Sequence, residues 1–335
     1  MKQSLKSRWQ SHYSKPSPAY WQTRKDSALP ERYGQAVRLL DLSTASFPAD
    51  DRLAYVIVGF ACDTGVKRNL GRVGAAAGPY ALRSALAKLA VQVPDLCVMD
   101  VGDIVCLDED LEAAQQALGA LVCDILVQGH IPMVFGGGHE TAFGHYLGIA
   151  QTQYVDSLGI VNIDAHFDLR PLKEGRWGTS GTAFTQIAAA RAFEGQAFSY
   201  CCIGIQPSAN TLSVYDEAAI QDVLYLETKS FDCEEAFDTF CEAFEAFVNE
   251  HDHIYLSICL DAFAEAYAPG VSAPQPLGLR PDQIFPFLET LASSGKVIGL
   301  DIVELAPALD WDQQTARLGA FVLAQYLIDA NRSLV

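Results

Sequence analysis

The chain has 335 residues, 41 acidic and 23 basic side chains, and a formal net charge of −18. The charge argues against a nucleic-acid binder, because phosphates need a positive footprint, and against adsorption to an anionic membrane. It leaves a small anionic substrate open, since local basic residues can outvote the global sign. No apolar run reaches the roughly 18–20 residues needed to span a bilayer. The N-terminal stretch MKQSLKSRWQSHYSK has basic residues but no apolar core, so it is not read as a signal peptide. Nine cysteines without a CxxC pair predict reduced thiols in a cytoplasmic protein, most of them small buried hydrophobes.

In chain order, residues 1–38 come first, with eight basic and two acidic side chains, +6 against −24 for the remainder. Pro16, Pro18 and Pro30 and the lack of periodicity predict an irregular arm with one short helix wrapping the body. A disordered tail is the alternative. Eight strand candidates follow: Tyr55–Cys62, Leu96–Val101, Ile131–Phe135, Gly159–Asp164, Tyr200–Ile205, Val223–Leu226, Ile254–Asp261 and Val297–Val303. Most are apolar and β-branched without strict alternation, as expected of parallel strands covered on both faces. Helices are predicted over Leu111–Gln128, Glu234–Asn249 and Gln313–Asp329. Phe237, Phe240, Phe244 and Phe247 form a core-facing stripe on the second of these. Strand–helix alternation without a linker or repeat predicts one α/β domain over 39–335, three layers deep.

Polar anomalies cluster where such a fold places its sites, beyond the carboxyl ends of strands. Ile131–Phe135 is followed by Gly136-Gly137-Gly138-His139-Glu140, and the fourth candidate strand leads into Asp164-Ala165-His166-Phe167-Asp168. The seventh ends in Ser257-Ile258-Cys259-Leu260-Asp261, and the eighth carries Asp301 and leads to Glu304. In extended chain, Asp164, His166 and Asp168 share one face. Two carboxylates and an imidazole there suit a divalent cation such as Mn²⁺; a solvated cluster is the alternative. The glycines let His139 approach closely. A phosphate loop is the weaker reading, because the lysine and hydroxyl of a P-loop are missing. His139, Asp164, His166, Asp168 and Asp261 hold too many acids for one ordinary site. A pair of metals bridged by a carboxylate, with a water of lowered pKa between them, accounts for them better.

GGGHE, DAHFD, SICLD…APGVSAP and DIVELAP together resemble the ureohydrolases: arginase, agmatinase and formimidoylglutamase. The resemblance runs from about Ala54 to the C-terminus. It implies a three-layer α/β/α sandwich with an eight-stranded, mostly parallel sheet. It also implies two Mn²⁺ per subunit and a bridging hydroxide that attacks a guanidino or formimidoyl carbon. By the resemblance, His139, Asp164 and Asp168 match ligands of one metal, and His166, Asp164 and Asp261 those of the other. Glu304 matches the acid that holds the cationic end of the substrate. Cys259 stands where the family usually has a second bridging aspartate, so weaker or asymmetric metal loading is expected. No counterpart of the arginase general-acid histidine occurs in Thr179–Gln186, which reads TSGTAFTQ.

The first-strand loop, GFACDTGVKRNLGRVGA, and the SGTAF and APGVSAP segments look like formimidoylglutamase. Arg68, Asn69 and Arg72 are therefore the expected partners of a small dicarboxylate substrate, with Arg170 and Arg176 as further candidates. Surface arginines are the alternative for each. The reaction implied is hydrolysis of N-formimidoyl-L-glutamate to L-glutamate and formamide, a step of histidine degradation. The alternatives are a guanidino-acid amidinohydrolase releasing urea, or a non-catalytic member that lost function through Cys259. Family members are often homo-oligomers.

Overall fold

The computed structural model describes residues 8–48, 52–93 and 95–332. Its strands in chain order are β1 (Tyr13–Ser14), β2 (Arg38–Leu39), β3 (Tyr55–Ala61), β4 (Val98–Val105), β5 (Ile131–Phe135), β6 (Leu158–Ile163), β7 (Ser199–Ile205), β8 (Leu224–Glu227), β9 (His253–Cys259) and β10 (Val297–Val303). They form one sheet in the order β1-β4-β3-β5-β10-β9-β6-β7-β8, with β2 also on β4. The sheet therefore has ten strands rather than the eight expected. Strands β3 to β10 correspond to the predicted runs and are mutually parallel. The other two are two-residue pieces of the arm, β1 antiparallel and β2 parallel to β4. Pieces that short leave no periodicity to read.

Successive residues of the parallel strands point to opposite faces, and both faces are covered. Ile57, Val161, Ile163, Ile254, Leu256 and Ile258 pack into one core cluster. Val56, Val58, Phe60, Ile160 and Tyr255 pack into the other. This two-sided burial is why the strands read as continuous apolar runs. Helices α1 (Gly78–Leu86), α2 (Glu234–Glu250) and α3 (Phe285–Ser294) contribute Leu82, Phe240, Phe244 and Leu288 to the first cluster. Of the predicted phenylalanine stripe, Phe237, Phe240 and Phe244 pack around Phe287, and Phe247 lies against His251. On the other face lie the helices Leu111–Val127 and Thr141–Ile149, which supply Leu118, Leu121 and Tyr146.

Within residues 8–48, β1 and β2 pair with β4, the edge of the parallel sheet. Trp9, Trp21 and Tyr33 of the same segment are buried, and the Trp9 indole donates to Asp124 of the helix Leu111–Val127 at 2.9 Å. Covering an edge strand in this way blocks pairing with a foreign strand. The clasp centres on a buried ion cluster. Arg83 of α1 is 1% exposed and pairs with Asp100 at 2.9 Å and Asp103 at 2.6 Å. The Trp21 indole donates to the same Asp100 at 2.8 Å. Gly59 on β3 makes room, since a Cβ there would lie 1.9 Å from Asp103 Oδ1. Both aspartates sit inside β4, so the strand continues past the predicted end at Val101.

Replacing Arg83 by Met would leave two buried carboxylates unpaired. Arg83→Met is expected to destabilise the fold by about 3–5 kcal/mol, read as a lower denaturation midpoint in urea.

Candidate metal centre and substrate cleft

The motif residues converge because β5, β10, β9 and β6 are four adjacent strands at the centre of the sheet. Their carboxyl ends carry, in that order, His139, Glu304, Cys259 with Asp261, and the Asp164–Asp168 segment. The chain crosses from β5 to β6 early and leaves a gap between them. Strands β9 and β10, from the last third of the sequence, fill it. Ligand sites in open α/β sheets form at such switch points.

The GGGH turn is clamped from both sides. The Gly136 amide donates to Ile302 O and the Glu304 amide to Gly137 O, both at 2.8 Å. The Gly138 amide donates to Cys62 O at 3.1 Å. A Cβ on Gly137 would lie 1.6 Å from that same carbonyl oxygen, so the close approach requires glycine. Glu304 and Asp168 take positive φ of 69° and 50°. Unfavourable backbone conformations of this kind persist where surrounding contacts over-determine them.

His139 Nδ1 lies 2.8 Å from Asp164 Oδ2 and 3.0 Å from Asp168 Oδ2. His166 Nδ1 lies 3.3 Å from both Asp164 Oδ1 and Asp261 Oδ2. Cys259 Sγ donates to Asp261 Oδ1 at 2.8 Å. Donor atoms of His139, Asp164 and Cys259 lie within 4.8 Å of one another, and so do those of Asp164, His166 and Asp261. The two triplets share Asp164. Asp168 joins the first through its contact with His139.

Burial opposes charge on both imidazoles, yet Asp164 and Asp168 hold His139, and Asp261 and Asp164 hold His166, well above the ordinary histidine value. Asp164 is drawn down despite its burial, because it faces both histidines. Burial and the Asp164 charge push Asp261 up to about 6 and raise Asp168. Burial and the carboxylates around it push the Cys259 thiol far up. Such a set is frustrated unless positive charge stands among the acids. The donor chemistry fits divalent metal. His139 Nε2 bonds Ser257 Oγ at 2.9 Å, whereas its buried Nδ1, near two carboxylates, makes no aligned hydrogen bond. An imidazole held at one nitrogen with the other aimed among carboxylate oxygens is the usual posture of a metal ligand.

The cluster floors a cleft of about 290 Å³. Glu304 lines it. Its Oε1 accepts the His139 amide at 2.9 Å, and its buried Oε2 has no partner. Burial first, then Asp261 and Glu140, push the Glu304 carboxyl well up. Asn69 and Arg72 line the upper wall, with Ser180 and Arg170. Asn69 Nδ2 donates to Ser180 Oγ at 3.2 Å. Arg72 is braced on Ser272 O at 2.9 Å and Val271 O at 2.7 Å. Arg68, expected at the substrate, does not line the cleft. It forms a bidentate pair with Glu112 at 2.6 and 3.0 Å and lies over Trp177. Arg176 also lies over Trp177. Arg170 is exposed on the cleft and, among the described residues, forms no ion pair.

The arginase family model matches residues 53–328. The chain belongs to the arginase family. A formimidoylglutamase of Legionella pneumophila is 45% identical over 322 residues, covering 96% of this chain and 98% of the relative. One from Geobacillus kaustophilus is 42% identical over 328 residues, with the same coverage. The fold matches the crystal structure of Bacillus subtilis formimidoylglutamase with a TM-score of 0.79 at 22% identity, covering 93% of this chain and 96% of that one. A Trypanosoma cruzi formiminoglutamase solved with Mn²⁺ matches with a TM-score of 0.73 at 25% identity, covering 84% and 95%.

In this arginase-family chain the support behind His139 extends further than the motifs suggest. Ser257 Oγ donates to Asp301 Oδ1 at 2.6 Å, and Asp301 Oδ2 meets His145 Nδ1 at 2.9 Å and the Tyr255 hydroxyl. Asn162 Nδ2 donates to Asp164 Oδ2 at 3.2 Å and to the Tyr200 hydroxyl at 2.9 Å. For Asn162, Tyr200, Tyr255, Ser257 and Asp301 the readable signal is a polar side chain inside an apolar strand run, whereas His145 lies on the helix Thr141–Ile149. Their partners on neighbouring strands were not readable.

Proposed function

We propose that the chain hydrolyses N-formimidoyl-L-glutamate to L-glutamate and formamide. One observation carries the site-level reading: the cleft is polarised, with a floor of carboxylates and a rim of arginine. That suits a substrate with a cationic amidine at one end and two carboxylates at the other. The near full-length identity to formimidoylglutamases supports the same substrate.

His139, Asp164, Asp168 and Cys259 are assigned to one divalent metal, and Asp164, His166 and Asp261 to a second, with Mn²⁺ the expected ion. When bound, the metal pair supplies a hydroxide nucleophile near neutral pH and neutralises the buried acids. Glu304 takes the formimidoyl nitrogens through Oε2, while Oε1 stays fixed by the His139 amide. The strained backbone at Glu304 keeps that oxygen facing the reacting carbon. The C–N bond to glutamate breaks, and the glutamate nitrogen leaves protonated. Arg170 clamps a substrate carboxylate, with Asn69 and Arg72 beside it. Arg68 instead braces the loop through Glu112 and Trp177. Residues 39–335 act as one catalytic domain, with residues 8–38 of the arm as its clasp.

Purified protein with added Mn²⁺ is expected to release formamide and glutamate, and to lose turnover on chelation. Turnover no better than that of an Asp164→Ala/His166→Ala variant rules the reading out. Arg170→Ala should raise KM by roughly 10–100-fold, matching about 1.5–3 kcal/mol for a charged hydrogen bond. Arg68→Lys, away from the cleft, should change KM by less than about fivefold. Metal analysis after dialysis should find uneven loading in the wild type and fuller Mn²⁺ occupancy in Cys259→Asp, because a carboxylate suits Mn²⁺ better than sulfur does. Equal occupancy in both would mean that the sulfur serves as well as the carboxylate.

A further inference from the structure

Cys62 and Cys106 follow directly on the last register pair of β3 and β4, Ala61 and Val105. They therefore stand one residue beyond the end of that ladder, where the Cys106 amide still donates to Ala61 O at 3.3 Å. Adjacent strands run about 4.8 Å apart, within the Cα separation a disulfide spans. Each thiol perturbs the other's ionisation, pushing Cys62 up and drawing Cys106 down. Cys62 is 1% exposed, whereas Cys106 is half-buried. Cys106 Sγ lies 3.5 Å from the Thr64 hydroxyl. A buried thiol behind a reachable one is the arrangement of a resolving and an attacking cysteine.

Cys62 is also tied to the metal centre. Its carbonyl accepts the Gly138 amide and packs on Gly137, and its thiol points to Glu140 Oε1 at 3.7 Å. The same Glu140 oxygen accepts the Gly65 amide at 2.8 Å. The loop that carries Asn69 and Arg72 begins at the next residue, Asp63, whose carboxylate accepts the Gly74 amide at 2.7 Å. A shift of Cys62 thus moves both the GGGH turn and the substrate loop.

We propose that Cys62 and Cys106 form a peroxide-sensitive dithiol, and that its oxidation to a disulfide disables the metal centre. The Cys106 thiolate attacks the peroxide O–O bond, giving a sulfenic acid and, after protonation, water. The Cys62 sulfur then attacks the sulfenic sulfur and releases a second water. Both thiols are oxidised and the peroxide is reduced. Cys106 is drawn down to about 7, first by the Cys62 thiol and then, against its burial, by the Thr64 hydroxyl. The charged groups facing it are Asp110, which opposes the thiolate, and Arg68, which favours it. Oxidation should therefore quicken as pH rises through about 7.

The loss of turnover rests on the hydrolase reading, but formation of the bond does not. Metal-loaded enzyme treated with hydrogen peroxide should yield a peptide linking Cys62 to Cys106, lost on reduction by dithiothreitol. Formimidoylglutamate turnover and retained Mn²⁺ should fall together by roughly 10–100-fold, the scale on which loss of the contacts behind metal ligands acts. Cys106→Ser should keep the activity and metal of the reduced wild type through the same treatment. In Cys62→Ser, a sulfenic-acid probe should label Cys106. Absence of the linked peptide overturns the proposal, as does a linked enzyme that keeps its metal and turnover. If the reduced enzyme has no turnover, the hydrolase reading fails, and the linked peptide and Mn²⁺ retention decide this inference alone.

Discussion

Asp164 is the constraint around which the site is organised. Its carboxylate is fully buried and faces two imidazoles, with further acids behind each of them. Burying like charges this close is costly unless positive charge stands between them. Against burial, the facing carboxylates accordingly hold His139 and His166 well above the ordinary histidine value. The donor atoms gathered there could hold divalent metal. The turn that carries His139 and the strand ends that carry Asp261 and Glu304 serve to hold donor atoms around this one carboxylate.

Holding them depends on the sheet. Four central strands present their carboxyl ends side by side, so ligands far apart in the chain meet without long side chains. Backbone contacts do much of the positioning. The Glu304 and Gly136 amides stitch β10 to the GGGH turn, and the Cys62 carbonyl holds the turn from the β3 side. The buried chain Ser257–Asp301–His145–Tyr255 then fixes the orientation of the His139 ring. Such outer contacts are what keep a ligand imidazole in one tautomer and one rotamer.

The edge of the parallel sheet bears on the centre as well. The arm and the Arg83 cluster hold β4, and β4 in turn aligns Cys106 beside Cys62. The basic arm therefore stabilises an element one strand away from the catalytic turn. The arm holds that edge mostly through buried aromatic rings, with the Trp21 indole donating to Asp100.

The amino-acid sequence alone determined the eight parallel strands, the alternating helices and the metal-donor motifs. Two-sided burial writes itself as unbroken apolar runs, and ionisable residues at the ends of such runs stand out. Cys259 was legible for the same reason, as a sulfur in a position otherwise read as carboxylate. Only the tertiary structure decided which arginine faces the cleft. Arg68 ends the short helix Thr64–Arg68 and Arg170 sits in a loop, but Glu112 and Trp177, distant in sequence, capture the first, while the second forms no ion pair among the described residues. The two-residue arm strands and the Cys62–Cys106 pairing were equally hidden. Each depends on register between strands, and register is a property of the assembled sheet that no local window of sequence contains.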